Sequence, residues 1–170
     1  MKNTAIKYGL IGAVVMMLGV MLPFWIYGED MELGAGEVYG YASMILSLTA
    51  IYFGIKQYKS ELEGELSFKQ AFIFGTFVNF VAALVFGVFS FLLYAWLMPD
   101  FLQTYLDHSI DLVKNNAALT PEEVEAELAY INEGKHLWLS PAFGGLLMFG
   151  TVFPIGLVMT LISSFALKSK

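Results

Sequence analysis

The sequence predicts an all-α integral membrane protein: four transmembrane helices, with a short amphipathic helical pair in the outer loop between helices 3 and 4. Three observations carry this. Of the 170 residues, 58% are hydrophobic and only 14% are charged, whereas soluble domains average about 45–50% apolar and about 25% charged residues. Four stretches are long enough to cross a bilayer, which takes roughly 20 apolar residues per helix. Asp, Glu, Lys, Arg and His are absent from all four stretches and collect between them, because a charge at mid-membrane is costly. The whole chain, 1–170, reads as one polytopic membrane domain.

The first span covers about residues 8–27, "YGLIGAVVMMLGVMLPFWIY". Lys2 and Lys7 precede it, which also suits a signal peptide. Its apolar core is about twice the usual 7–15 residue h-region, and no small-x-small cleavage site follows, so a retained helix is expected. The second span covers about 38–55, "VYGYASMILSLTAIYFGI", the third about 71–98 and the fourth about 141–167. Ser67 is placed to cap the third helix. Pro23 interrupts the first span, and Pro154 with Gly156 the fourth; membrane helices tolerate such residues.

Residues 99–135 form the sizeable polar loop. In "PDFLQTYLDHSIDLVK", Leu102, Leu106, Ile110 and Val113 share one helical face, and Gln103, Asp107, Asp111 and Lys114 another. In "LTPEEVEAELAYINEG", Thr120 is a candidate N-cap, Pro121 suits the first helical position and Glu123 completes a capping box. Gly134 is expected to stop this helix.

Lysine placement sets the expected orientation. Lys2, Lys7, Lys56, Lys59, Lys69, Lys168 and Lys170 fall on one side, leaving Lys114 and Lys135 on the other with twelve of the fifteen acids. Both termini are therefore expected in the cytoplasm, with loop 99–135 periplasmic or extracellular and the protein in the inner (cytoplasmic) membrane. Trp25, Trp96 and Trp138 fall at outer helix ends, as interfacial anchors do. Lys59 and Lys69 are the corresponding inner anchors.

The tract "GEVYGYASMILSLTAIYFGIKQYKSELEGELSFKQAFIFG" (36–75) resembles an uncharacterised bacterial four-helix membrane-protein family, domain of unknown function DUF4199. The matching residues are Glu37, the Gly40-Tyr41 pair and Met44, then Gly54, Lys56 and Tyr58 within "FGIKQY", then Gly64, Phe68 within "LSFKQAF", and Gly75. The resemblance implies the four-helix fold and a cell-envelope location, and carries no catalytic roles. Physically, Gly40 and Tyr41 are expected to open the second helix, with Glu37 favouring its macrodipole. Gly36 and Gly40 form a small-xxx-small pair suited to close approach. Lys56, Tyr58 and Lys59 suit an interfacial anchor, or alternatively, with Lys69, a headgroup or partner site.

Chemistry-bearing motifs are sparse. With no Cys and no Arg, thiolate chemistry and Cys-ligated metals are excluded, and phosphate or nucleic-acid recognition is disfavoured. Asp107, His108 and Asp111 have metal-compatible spacing but read first as a solvated face. Glu133 and His136 have the i, i+3 spacing of di-iron ligands, but no partner motif exists, and Gly134 is expected to break the helix between them. No G-x-S-x-G or H-E-x-x-H run occurs. An enzyme is not expected, nor a cofactor or bound metal. Expected partners are the lipid bilayer and a membrane protein or second copy, with no nucleic acid.

One strongly polar side chain, a carboxamide, lies deep in the third span. Asn79 interrupts "FGTFVNFVAALVFG" within a row of Ala71, Gly75, Asn79, Ala83 and Gly87 at successive i+4 steps. These share one helical face, a groove of small residues flanked by Phe72, Phe74, Phe77, Phe80 and Phe86. Asn79 is expected to pin a helix–helix seam by a hydrogen bond; the alternative is a ligand-facing group in a transport cavity. Function follows the same division: an accessory or structural membrane component, or a subunit of a small transporter or channel.

Overall fold

The computed structural model describes residues 1–27 and 33–169, but not the side chains at 33, 34 and 37. Lys170, one of the orienting lysines, and the Glu37 side chain therefore lie outside the described residues. The described chain is helical with no strand, in the order α1 (Lys2–Tyr27), α2 (Leu33–Glu61), α3 (Phe68–Leu92), a π-helical turn (Leu93–Leu97), α4 (Phe101–Lys114), α5 (Pro121–Trp138) and α6 (Pro141–Leu167). Four segments, Lys2–Tyr27, Val38–Glu61, Phe68–Leu97 and Pro141–Leu167, are long and apolar enough to cross a membrane. The protein is a multi-pass membrane protein.

Two compact units divide the chain, Met1–Gly87 with Met148–Lys170, and Val88–Leu147. In the first, α1 and α2 pack along each other through small residues. A methyl at Gly12 would sit 3.3 Å from the Ser47 carbonyl, and one at Gly19 would collide with the Ser43 side chain. Polar side chains fasten one end of this pair. Thr4 Oγ1 donates to Glu61 Oε1 at 2.8 Å, and Tyr8 Oη donates to Gln57 Oε1 at 2.8 Å. Thr4 with Tyr8, and Gln57 with Glu61, are each i, i+4 pairs, so each occupies one face of its helix.

Helix α2 ends in a Schellman motif. Gly64 N–H donates to the Lys59 carbonyl at 3.0 Å and Glu63 N–H to that of Ser60 at 3.2 Å. Both turn residues have positive φ, 53° at Glu63 and 92° at Gly64. Ser67 then caps α3 reciprocally: its Oγ accepts from Gln70 N–H (3.3 Å), and its own N–H donates to Gln70 Oε1 (3.0 Å). The C-terminal segment joins this turn. Ser169 N–H donates to the Leu66 carbonyl (2.8 Å), Leu66 N–H to Ser169 Oγ (2.9 Å), and Ser169 Oγ to the Gly64 carbonyl (2.7 Å).

In the second unit, α3 gives way to a π turn closed by Met98 N–H on the Leu93 carbonyl at 2.7 Å. Tyr94 is buried there and stacks on Phe101 with centroids 5.6 Å apart. Helix α4 buries Leu106, with Leu102, Ile110 and Val113 half-buried and Gln103, Asp107, Asp111 and Lys114 exposed. Helix α5 touches α4 and begins with the capping box of Thr120 and Glu123.

Three expectations need correction. Helix α5 runs through Gly134 to Trp138, because the Trp138 indole folds back over Gly134, where a methyl would lie 2.7 Å from Nε1. Glu133 and His136 consequently share one helix; among the described residues, no three His, Cys, Asp or Glu side chains group to hold a metal. Helix α2 begins at Leu33, which puts Glu37, Gly40 and Tyr41 inside it rather than at its opening. Finally, nothing lies within 4 Å of a methyl built at Gly40, so that glycine serves no close approach among the described residues.

Candidate functional site

The candidate site is the face of α3 that carries the small-residue row, within the first unit. Ala71, Asn79 and Ala83 are fully buried, and Gly75 and Gly87 in the same row are buried too. Helix α2 covers one flank of this face and α6 the other. A methyl at Gly75 would come within 2.8 Å of both Ile55 Cδ1 on α2 and Thr160 Cγ2 on α6. The row is small because two helices meet over it.

Asn79 is 0% exposed. Its Nδ2 donates to the Phe153 carbonyl of α6 at 2.8 Å. Its Oδ1 lies against Gly156, where a methyl would collide with the carboxamide; only a glycine permits this approach. Pro154 lies between these two contacts and leaves the Gly150 carbonyl, one turn earlier, without its helical donor. The neighbouring hydroxyls of α6 turn back on their own helix. Thr160 Oγ1 donates to the Gly156 carbonyl (2.8 Å) and Ser164 Oγ to that of Thr160 (2.6 Å), the usual local satisfaction of Ser and Thr in helices. Asn79 Oδ1, Thr76 Oγ1 and Ser163 Oγ are buried without a hydrogen-bond partner among the described residues.

The flanking phenylalanines divide by role. Phe74 is buried and stacks on Tyr58 of α2, centroids 4.4 Å apart. Phe80 meets Phe149 and Phe153 of α6 edge-on at 6.0 and 6.3 Å. Phe72 stacks on Phe68 at 5.9 Å, Phe77 is exposed and Phe86 is buried.

Several residues of the DUF4199-like tract serve the same packing. Tyr58, besides holding Phe74, donates to Met1 Sδ at 3.4 Å. A methyl at Gly54 would lie 3.2 Å from Tyr8 Cβ and 3.5 Å from the Phe74 ring. Gly64 makes the α2–α3 turn, and Phe68 lies 4.5 Å from Phe165, centroid to centroid. Lys56, Tyr41 and Lys69 are exposed and Lys59 half-exposed.

A family model described as a protein of unknown function (DUF4199) matches residues 7–169. The chain belongs to the DUF4199 family. No curated protein and no solved structure matches it significantly. Family membership thus covers the whole bundle, including the Asn79 seam, and assigns it no activity.

Trp25 and Trp96 are exposed, whereas Trp138 is half-buried over Gly134 and edge-on to Phe143 at 5.7 Å. Two features escaped sequence reading. The Thr4–Glu61 and Tyr8–Gln57 contacts had a signal, the two matching i, i+4 polar pairs. The partnership of Asn79 with Gly156 had none, because residues so far apart reveal their proximity only in the folded bundle.

Proposed function

We propose that this DUF4199 protein is a packing component of a bacterial cytoplasmic membrane, acting through helix contacts with a partner membrane protein, a second copy or lipid rather than through catalysis. The observation that supports this is the use of Asn79. The strongly polar side chain at mid-span donates its amide N–H to the Phe153 carbonyl and packs its oxygen against Gly156, so its donor is engaged inside the bundle and its oxygen is enclosed there. Both termini and the lysine-bearing α2–α3 turn are cytoplasmic in this proposal and residues 99–135 lie outside, in line with the lysine bias. A C-terminal reporter active only outside the cytoplasm should stay silent; activity would overturn that sidedness.

A second reading, a subunit of a small transporter or channel, is favoured by one observation. Thr76 Oγ1, Asn79 Oδ1 and Ser163 Oγ are buried and unpartnered, as groups along a hydrated path would be. Asn79→Leu separates the two. Under the packing reading it lowers resistance to thermal unfolding in detergent by about 0.6–2 kcal/mol, and wild-type proteoliposomes show no solute flux. Flux that Asn79→Leu abolishes at unchanged stability would establish the second reading. In mass spectrometry after mild-detergent purification, a single stoichiometric partner would support the packing reading, and purification alone as a stable oligomer would favour the second.

A further inference from the structure

The lysines at one end of the first unit form a distinctive charge pattern. Lys2 and Lys7 lie on α1, Lys56 and Lys59 on α2, Lys69 on α3 and Lys168 just beyond α6. Among the described residues none is within ion-pair distance of a carboxylate. Glu61, at this end of α2, accepts from Thr4 and Gln57 and pairs with the N-terminal ammonium at 3.7 Å.

Lys69 and Lys168 stand out among these six. Lys69 sits in the first turn of α3, where the helix macrodipole opposes a cation and favours an anion. Lys168 is held beside the α2–α3 turn by the three hydrogen bonds that join Ser169 to Leu66 and Gly64. Its Nζ lies over the Phe165 ring, 5.3 Å from the centroid. That ring packs 4.5 Å from Phe68, which stacks in turn on Phe72. One unneutralised ammonium group thus lies over an aromatic cluster, and a second, exposed one belongs to the residue that follows Phe68 of that cluster. Phe165 is 56% exposed, and Leu161, one turn deeper on the same helix, is also exposed.

We propose that this end of the α3–α6 seam binds an anionic phospholipid, its headgroup phosphate held by Lys69 and Lys168 and an acyl chain lying along Phe68, Phe72 and Phe165. The charge calls for an anion. The apolar cluster adjoining it, on helices built to cross a bilayer, calls for one attached to a hydrocarbon chain. Free phosphate would engage only the lysines. This holds whichever side of the membrane the end faces, and whether the bundle serves packing or transport.

Native mass spectrometry of the detergent-purified full chain, titrated with phosphatidylglycerol or phosphatidylcholine, tests the site. The wild type should prefer phosphatidylglycerol, and Lys69→Gln with Lys168→Gln should weaken its binding by about tenfold or more. The paired Lys→Arg variant should retain the preference. Phe165→Ala should weaken both lipids and leave their ratio unchanged. Lys114→Gln with Lys135→Gln, which removes the same charge elsewhere, should have no effect. Equal loss in that control, unchanged binding in Lys69→Gln/Lys168→Gln, or displacement of the lipid by millimolar inorganic phosphate would each overturn the proposal. If the double glutamine variant does not fold, each single variant must still lower phosphatidylglycerol binding, or the proposal fails.

Discussion

The α3–α6 seam and helix α5 are held by opposite means. In the seam, Asn79 and Ala83 of α3 and Thr160 of α6 are fully buried, and order comes from contact: Gly75 against Thr160, Gly156 against Asn79. A side-chain hydrogen bond, Asn79 to Phe153, is added to that fit. Helix α5 has no fully buried residue. Its definition comes from its ends: Thr120, Pro121 and Glu123 at the start, Lys135 and His136 in the last turn. A helix in apolar surroundings gains little from caps and much from shape, because lipid is as apolar as its neighbours. A helix in water must satisfy its free N–H groups and answer its dipole.

The largest expected effect breaks the shape-based side. Gly156→Ala places a methyl on the Asn79 carboxamide and should destabilise the bundle by about 1–3 kcal/mol, as overpacking does, measured by thermal unfolding in detergent. Asn79→Ala removes the obstructing group, so the same Gly156→Ala change should cost distinctly less in that background. Such non-additivity is the signature of direct contact. Additive losses would mean that the two residues do not share the seam. Thr120→Ala is the counterpart in α5 and should cost about 1 kcal/mol, read as faster amide exchange at Glu123 without change in the seam.

The same contrast explains what could be read from the sequence. Spans, caps and the face of α4 are local, so hydropathy, Ser67, Thr120 and the Leu102–Val113 stripe were enough to find them. The small-residue row of α3 was legible as a groove for the same reason. Which helix fills it was not, since the Asn79–Phe153 bond joins residues 74 positions apart. The π turn at Leu93–Leu97 left no trace in an uninterrupted apolar run. Gly134 misled because a glycine reads as a stop, whereas here it makes room for Trp138.

The α2–α3 turn sharpens the comparison from between the two cases. Glu63 occupies the left-handed position of the Schellman motif at φ 53°, with glycine one residue later. Glycine at that position carries no Cβ penalty. Glu63→Gly should therefore stabilise the protein, by about 0.5–1 kcal/mol. Thermal unfolding would show it as a rise in midpoint, and a fall would mean that the Glu63 side chain holds the turn through contacts of its own.

The smallest effect isolates the electrostatic part of the α5 cap. The Glu123 carboxylate accepts from the Thr120 backbone N–H at 2.8 Å and from the Thr120 hydroxyl at 2.9 Å. These bonds, the backbone one first, favour the charged form and lower its pKa below the ordinary 4.5. A group with a depressed folded pKa stabilises the folded form fully above its unfolded pKa, and that contribution disappears as pH falls through the folded value. The start of α5 should therefore hold between pH 7 and pH 5 and loosen below about pH 4.5. Amide exchange at Glu123 and Val124, corrected for intrinsic rates, would report it. Glu123→Gln keeps an acceptor for both Thr120 donors but does not titrate, so it should abolish the pH dependence while leaving the cap in place. The Asn79–Phe153 bond has no titrating member, and protection in the seam should stay flat over the same range. Parallel loss at both sites would mean that acid opens the whole bundle and that the cap contributes nothing separable.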